Sequence, residues 1–134
     1  MVAGVVRARS LELSGRVADG TLIAEGHGPR DLEHTRALTA KGGAGPEHTL
    51  TVLAFACVGD DPGEVARTLH PHTEGHGGWL GRPQEDVFTV SGSAQEAAGD
   101  IGALSAAGAD TVVLRIVGAE HLRQLEAVLR ALGR

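Results

Sequence analysis

The chain has 134 residues, of which 42% are hydrophobic and 22% charged, and its formal net charge is −5. These values suit one globular domain with its own core. Few aromatic residues and scattered arginines exclude a base-stacking or basic-stripe nucleic-acid module. No segment reaches the ~18 apolar residues of a membrane span. Arg7 and Arg9 follow the first apolar stretch instead of preceding it, so no secretory leader is expected. Cys57, the only cysteine, lies in an apolar run and reads as a small buried hydrophobe. A disulfide framework is excluded, and a reducing cytoplasm is the expected setting.

Val2–Val6 is a short apolar run. Ser10 to Val17 reads as a helix with Leu11, Leu13, Ser14 and Val17 inward, stopped by Asp19 and Gly20. Thr21–Ala24 is a compact strand, followed by the loop Glu25–Gly28. Pro29 suits the first turn of a helix through Asp31–Ala40, which Gly42–Pro46 breaks. Thr49–Val58 is the strongest strand signal, apolar on both faces as in a buried parallel sheet. Asp61, Pro62 and Glu64 then open a helix expected to reach about Leu69. His70–Pro83, rich in Gly, His and Pro, reads as an irregular insertion spanning about 70–84. Glu85–Val90 is read either as a short strand or as an extended approach.

Ser93 and Glu96 form a second capping box, for a helix ending near Ala107 with Gly108 as its terminator. Asp110–Val117 is another buried strand. Ala119–Leu132 is the last helix, with Leu122, Leu125, Val128, Leu129 and Leu132 on one stripe and Arg123, Gln124, Glu126 and Arg130 opposite. Two stretches echo each other: Leu13-Ser14 leads to Ala18-Asp19-Gly20-Thr21, and Leu104-Ser105 leads to Ala109-Asp110-Thr111. Each joins a helix through a tight polar turn to a strand. Such alternation implies an α/β fold with parallel strands and right-handed crossovers. Four strands, each followed by a helix, make half a barrel or a small open sheet.

The segment Arg9-Ser10-Leu11-Glu12-Leu13-Ser14-Gly15-Arg16-Val17-Ala18-Asp19-Gly20-Thr21-Leu22-Ile23 resembles the middle of luciferase-like flavin-dependent oxidoreductases, including their deazaflavin-dependent relatives. Val90-Ser91-Gly92-Ser93 through Glu96, then Ala107-Gly108-Ala109-Asp110-Thr111-Val112-Val113-Leu114-Arg115, resembles the last helix–strand unit of the same family. The resemblance covers nearly the whole chain. It implies one domain over residues 1–134: the C-terminal half of a (β/α)8 TIM-type barrel. A complete barrel takes about 250 residues, and the family's first four units, with its usual acid/base residues, are absent. The turn Gly4–Ser10 lacks the family's commoner Gly-Pro.

The resemblance implies an oxidoreductase or monooxygenase component with FMN or a deazaflavin coenzyme, incomplete as a catalyst alone. It implies a flavin-type cofactor and a small-molecule substrate as ligands. Exposed strand edges imply a homodimer or pairing with an N-terminal half-barrel chain. The alternative is a non-catalytic half-barrel that binds a phosphate-bearing ligand or a protein partner.

Sites in such barrels lie at the C-terminal ends of the strands. Gly4, Arg7, Arg9 and Ser10 precede a helix, where free N–H groups favour a phosphate. The plain alternative is a helix start with surface arginines. Arg115, near the end of a buried strand, needs a partner: a ligand anion, Asp19, Glu120 or solvent. Glu25 ends its strand similarly, facing either a cofactor or water. His70, His72, Glu74 and His76 form a metal-like run, without a second ligand group and within an expected surface loop. Trp79 beside it either closes a pocket or anchors that loop. No catalytic triad, Walker motif or dinucleotide fingerprint is present, and no catalytic residue is assigned.

Overall fold

The computed structural model describes residues 1–134. The chain runs β1 (Val2–Gly4), α1 (Ala8–Val17), β2 (Gly20–Ile23), α2 (Pro29–Gly42), β3 (Thr49–Val58) and α3 (Pro62–Leu80). A short 3-10 turn over Gln84–Asp86 leads to β4 (Val90–Gly92), α4 (Ala94–Ala106), β5 (Thr111–Ile116) and α5 (His121–Ala131). Every pairing between these strands is parallel.

At its base the sheet reads β1-β2-β3-β5. β3 is the axis: Thr49–Val52 pair with β2, and Thr51–Ala56 pair with β5 on the opposite edge. Higher up, Ala56–Val58 pair with β4. Odd-numbered residues of β3 bond on the β2 side, as Thr49 N–H to Asp19 C=O and Gly59 N–H to Gly92 C=O show. β4 therefore enters where β2 has already parted from β3. It is a fifth strand beyond the four expected, and it begins where the ambiguous Glu85–Val90 segment ends.

The period-2 rule assigns the two faces of β3. Leu50, Val52, Ala54 and Ala56 join the main core with Leu11, Ile23, Leu32, Val90, Leu104 and Val128. That core lies under α1, α2, α4 and α5. Phe55 and Cys57 point to the other face, where they meet Val65 and Leu69 of α3 and Val117. Four helices thus cover one face of the sheet, and α3 alone covers the upper part of the other. Burial, then the nearby Glu64 carboxylate, push the Cys57 thiol up, as suits a packing cysteine.

α3 corrects the expected irregular insertion. It continues ten residues beyond His70, through Pro71, to Leu80. Proline costs roughly 3 kcal/mol inside a helix. Burial offsets it here. Val65, Leu69, Thr73 and Gly77 form a buried stripe at helical spacing. The buried Thr73 hydroxyl is itself satisfied by the Leu69 and His70 carbonyls at 3.3 and 3.2 Å. Tertiary burial overrides the local breaker.

Two helix faces also differ from expectation. In α1 the buried residues are Leu11, Ser14 and Gly15, while Leu13 and Val17 are about half exposed. In α5 Leu122 faces solvent and Gln124 is buried. The Gln124 amide takes the Val58 N–H at 2.9 Å and donates to the Val117 and Ala119 carbonyls at 3.0 and 2.8 Å. It ties the end of β3 to the end of β5, so its polarity serves an inward position.

The base of the sheet holds a polar relay. Ser14 Oγ and Thr21 Oγ1 lie 2.7 Å apart, Thr21 Oγ1 is 2.8 Å from His48 Nε2, and His48 Nδ1 is 3.2 Å from the Ala18 carbonyl. Nδ1–H donating to that carbonyl leaves Nε2 to accept from Thr21. Burying Ser14 and Thr21 is tolerated because both hydroxyls are satisfied.

Candidate functional site

The C-terminal ends of β1, β2, β3 and β5 open toward one end of the molecule, where parallel β/α folds place ligands. Glu25 follows β2 by two residues, and its side chain is only 10% exposed. Arg115 of β5 crosses to it, Nη1 to Oε2, at 3.2 Å. Its guanidinium carbon stands 5.4 Å from the centre of the Phe55 ring. The arginine predicted to need a partner finds it in Glu25, not in Asp19 or Glu120. Glu120 pairs with Arg123 at 2.9 Å, and Asp19 pairs with the N-terminal ammonium. A guanidinium over an aromatic face keeps much of its charge available. Arg115 is itself 63% exposed at this end of the sheet.

α3 closes one side of the same region. The rings of His72 and His76 lie 5.5 and 5.4 Å from Phe55, and the Trp79 ring lies 5.1 Å from His76, tilted by 44°. His76 Nε2 is buried without a hydrogen-bond partner. Spacings of four and three residues align His72, His76 and Trp79 along one helix side. His70 turns away, to Gln84 at 2.6 Å and Glu74 at 3.4 Å. The three imidazoles therefore do not converge on one point, and no group of three candidate ligands is gathered anywhere in the chain.

The loop carrying Glu25 is held firmly. His27 Nδ1 meets the Ala24 carbonyl at 2.8 Å. Asp31 takes the Gly28 N–H at 2.8 Å and binds Arg82 through both of its oxygens, at 3.0 and 3.2 Å. Arg82 also donates to the Gly26 carbonyl at 3.2 Å. Gly26 has φ of 95°, and a Cβ there would stand 2.7 Å from Leu80. Only glycine lets the loop tuck so closely under the end of α3. Gly26 also bridges to Phe88.

Burial, the largest influence on Asp31, pushes its carboxyl up. Arg82 and the Gly28 N–H outweigh it, so the carboxyl titrates below its ordinary range. A depressed carboxylate stabilises the fold above its unfolded pKa, and that contribution is lost as pH falls toward the folded value. Arg82→Ala is expected to cost about 1 kcal/mol at pH 7, allowing for partial solvent screening. The difference between variant and parent should shrink as pH falls through the ordinary carboxylate range toward the lowered folded value. Urea midpoints at pH 7 and pH 3 check this.

Gly4, Arg7, Arg9 and Ser10 lie together at the turn from β1 to α1. Arg7 is the N-cap, but no side chain caps the helix, and its first turn carries no acidic residue. Two other helix starts at this end are capped by side chains, whereas α5, behind Glu120, is uncapped like α1. Asp61 takes two N–H groups of α3, and Ser93 with Glu96 closes the capping box of α4. A cleft of about 430 Å³ between the ends of β3 and β5 is lined by Asp60, Asp61, Glu64 and Glu120 against one arginine, Arg123. That lining repels anions. The first turn of α1 is the better anion site on this end. No hydrogen bond or ion pair joins it to the Glu25–Arg115 pair.

Sequence reasoning named Gly4, Arg7, Arg9, Ser10, Glu25 and Arg115, and the structure gathers them in these two groups. It did not name Phe55 as part of the site. The signal was present, since Phe55 has the odd parity of the face away from the main core.

No protein-family model matches this sequence, and no curated protein matches it. Solved structures do. A secondary alcohol dehydrogenase dependent on coenzyme F420, in complex with an F420–acetone adduct, matches with a TM-score of 0.81 at 13% identity, over 98% of this chain and 48% of that one. A coenzyme F420-dependent tetrahydromethanopterin reductase from Methanopyrus kandleri matches with a TM-score of 0.65 at 16% identity, over 97% and 48%. The oxygenating constituent of 3,6-diketocamphane monooxygenase from Pseudomonas putida, in complex with FMN, matches with a TM-score of 0.51 at 16% identity, over 87% and 41%. The chain thus shares the fold of part of these chains, a half-barrel of parallel strands alternating with helices, and it spans about half the length of the chains it matches.

Proposed function

We propose that this half-barrel is a component of a luciferase-like oxidoreductase or monooxygenase that holds part of a flavin or deazaflavin site. The observation that carries this reading is the free first turn of α1 beside Arg7, Arg9 and Ser10, at the same end of the sheet as Arg115. A phosphate on the cofactor would accept from the free N–H groups, the arginines and the Ser10 hydroxyl, with Gly4 giving the turn room. Glu25, Phe55 and Arg115 offer a carboxylate, an aromatic face and a cation to the ring system. Neighbours of the same fold that bind coenzyme F420 or FMN support the cofactor class. Bound there, the reduced cofactor would supply the hydride or oxygen chemistry, while the chain anchors and orients it. Catalysis would await the remaining half of the barrel.

Titration of FMN and of coenzyme F420, followed by their fluorescence, tests this. One of the two is expected to bind, and Arg9→Ala is expected to weaken it about tenfold, the worth of one charge-assisted hydrogen bond. Absence of binding by both overturns the reading.

A further inference from the structure

The exposed large hydrophobic side chains are not scattered. Apart from Met1 and Trp79, they are Val2 at 55%, Leu13 at 47%, Val17 at 55%, Val113 at 42%, Leu122 at 77% and Leu129 at 37% exposure. Val2, Leu13 and Val17 belong to β1 and α1; Val113, Leu122 and Leu129 belong to β5 and α5. These are the two outermost β/α units of the sheet. The apolar surface therefore sits at both lateral edges, where β1 and β5 also leave one side of their backbones unpaired.

Within α1, Gly15 and Glu12 face α2, so Leu13 and Val17, one turn apart, face outward from the sheet edge. Leu122 and Leu129, two turns apart, share one side of α5. The inner faces of β1 and β5 are open in their lower part, because α3 covers only the upper part, near Phe55, Cys57 and Val117.

We infer that a second copy of this chain covers this surface. Two copies turned 180° about an axis along the strands would set β1 and α1 of each against β5 and α5 of the other, with all strands parallel. The contact is self-complementary, as a twofold interface must be. Each junction would bring Leu13 and Val17 beside Leu122 and Leu129, and Val2 beside Val113, while both edges become paired. Four columns of strand from each copy close an eight-stranded barrel. The chain's net charge of −5 gives two copies a long-range repulsion, which physiological salt screens. The charged side chains of the inner face described above, Glu25 and Arg115, neutralise each other. The inference rests on the half-barrel reading, not on the identity of the cofactor. It adds that the cofactor site is walled by both copies.

The test is molar mass by light scattering at about 50 µM, for the intact protein and for Leu122→Asp and Val113→Asp. Both positions are exposed, so neither variant should disturb the fold of a single copy, which circular dichroism verifies. The expected result is twice the 13.7 kDa chain mass for the parent and one chain mass for the variants. A monomeric parent overturns the inference and gives the surface to a different half-barrel. A dimer that survives both substitutions also overturns it, because another surface then holds the copies. Cofactor titration reads separately, so a dimer that binds neither FMN nor coenzyme F420 sinks the proposed function and leaves the interface standing.

Discussion

Gly15→Ala is expected to lower stability by at least about 3 kcal/mol, although alanine is the better helix former by nearly 1 kcal/mol. α1 and α2 cross with their backbones almost touching. A Cβ at Gly15 would stand 2.0 Å from the Thr39 carbonyl oxygen, and one at Gly42 would stand 1.9 Å from that of Glu12. These are main-chain atoms within helices, so neither obstacle can rotate aside. The helices would have to separate, taking Leu11 and Leu32 out of the core they share. A small domain holds only about 5–15 kcal/mol in total, so the loss is a large fraction of it. Gly99 in α4 is the control, because a Cβ there meets nothing within 4 Å. Gly99→Ala should raise stability by up to about 1 kcal/mol. Urea midpoints for the two variants should move in opposite directions. Equal small gains would mean that α1 and α2 are not this close.

The same crossing shows what could be read in advance. The alternation of helices with β3 and β5, the cap residues Asp61 and Ser93, and the parallel sheet are local or periodic signals, and they were legible. The failures have one physical source, which is that burial is decided by neighbours distant in sequence. Leu13 and Val17 fit an inward stripe by spacing, yet Gly15 chose the face because only it permits contact with α2. Gln124 read as surface by its polarity and is buried because three groups at the ends of β3 and β5 satisfy it. Pro71 and the glycines of 70–83 looked like a loop, and the buried stripe from Val65 to Gly77 kept them helical. Among site residues, each strand-end position was legible from fold class. The partnership of Glu25 with Arg115 was not, since 90 residues separate them.

That pair yields a second expected result, an asymmetry between its members. Arg115→Ala should cost about 1–3 kcal/mol, whereas Glu25→Gln should cost less than about 1 kcal/mol. The reason lies in their unequal exposure. The Glu25 side chain is 10% exposed and that of Arg115 is 63% exposed. Removing the arginine strands a buried carboxylate whose only charged partner was the guanidinium. Removing the carboxylate charge leaves an arginine that water and the Phe55 face can still accommodate. Full penalties for breaking a buried pair are larger, but half of this pair is already in solvent, which scales the cost down. The double variant should therefore be more stable than Arg115→Ala alone, because the second change relieves the charge that the first one stranded. Thermal or urea unfolding of the three variants at pH 7 measures this directly. If Glu25→Gln proves the costlier change, Glu25 is held by something other than Arg115. The two residues could not then be treated as one unit at the mouth of the barrel.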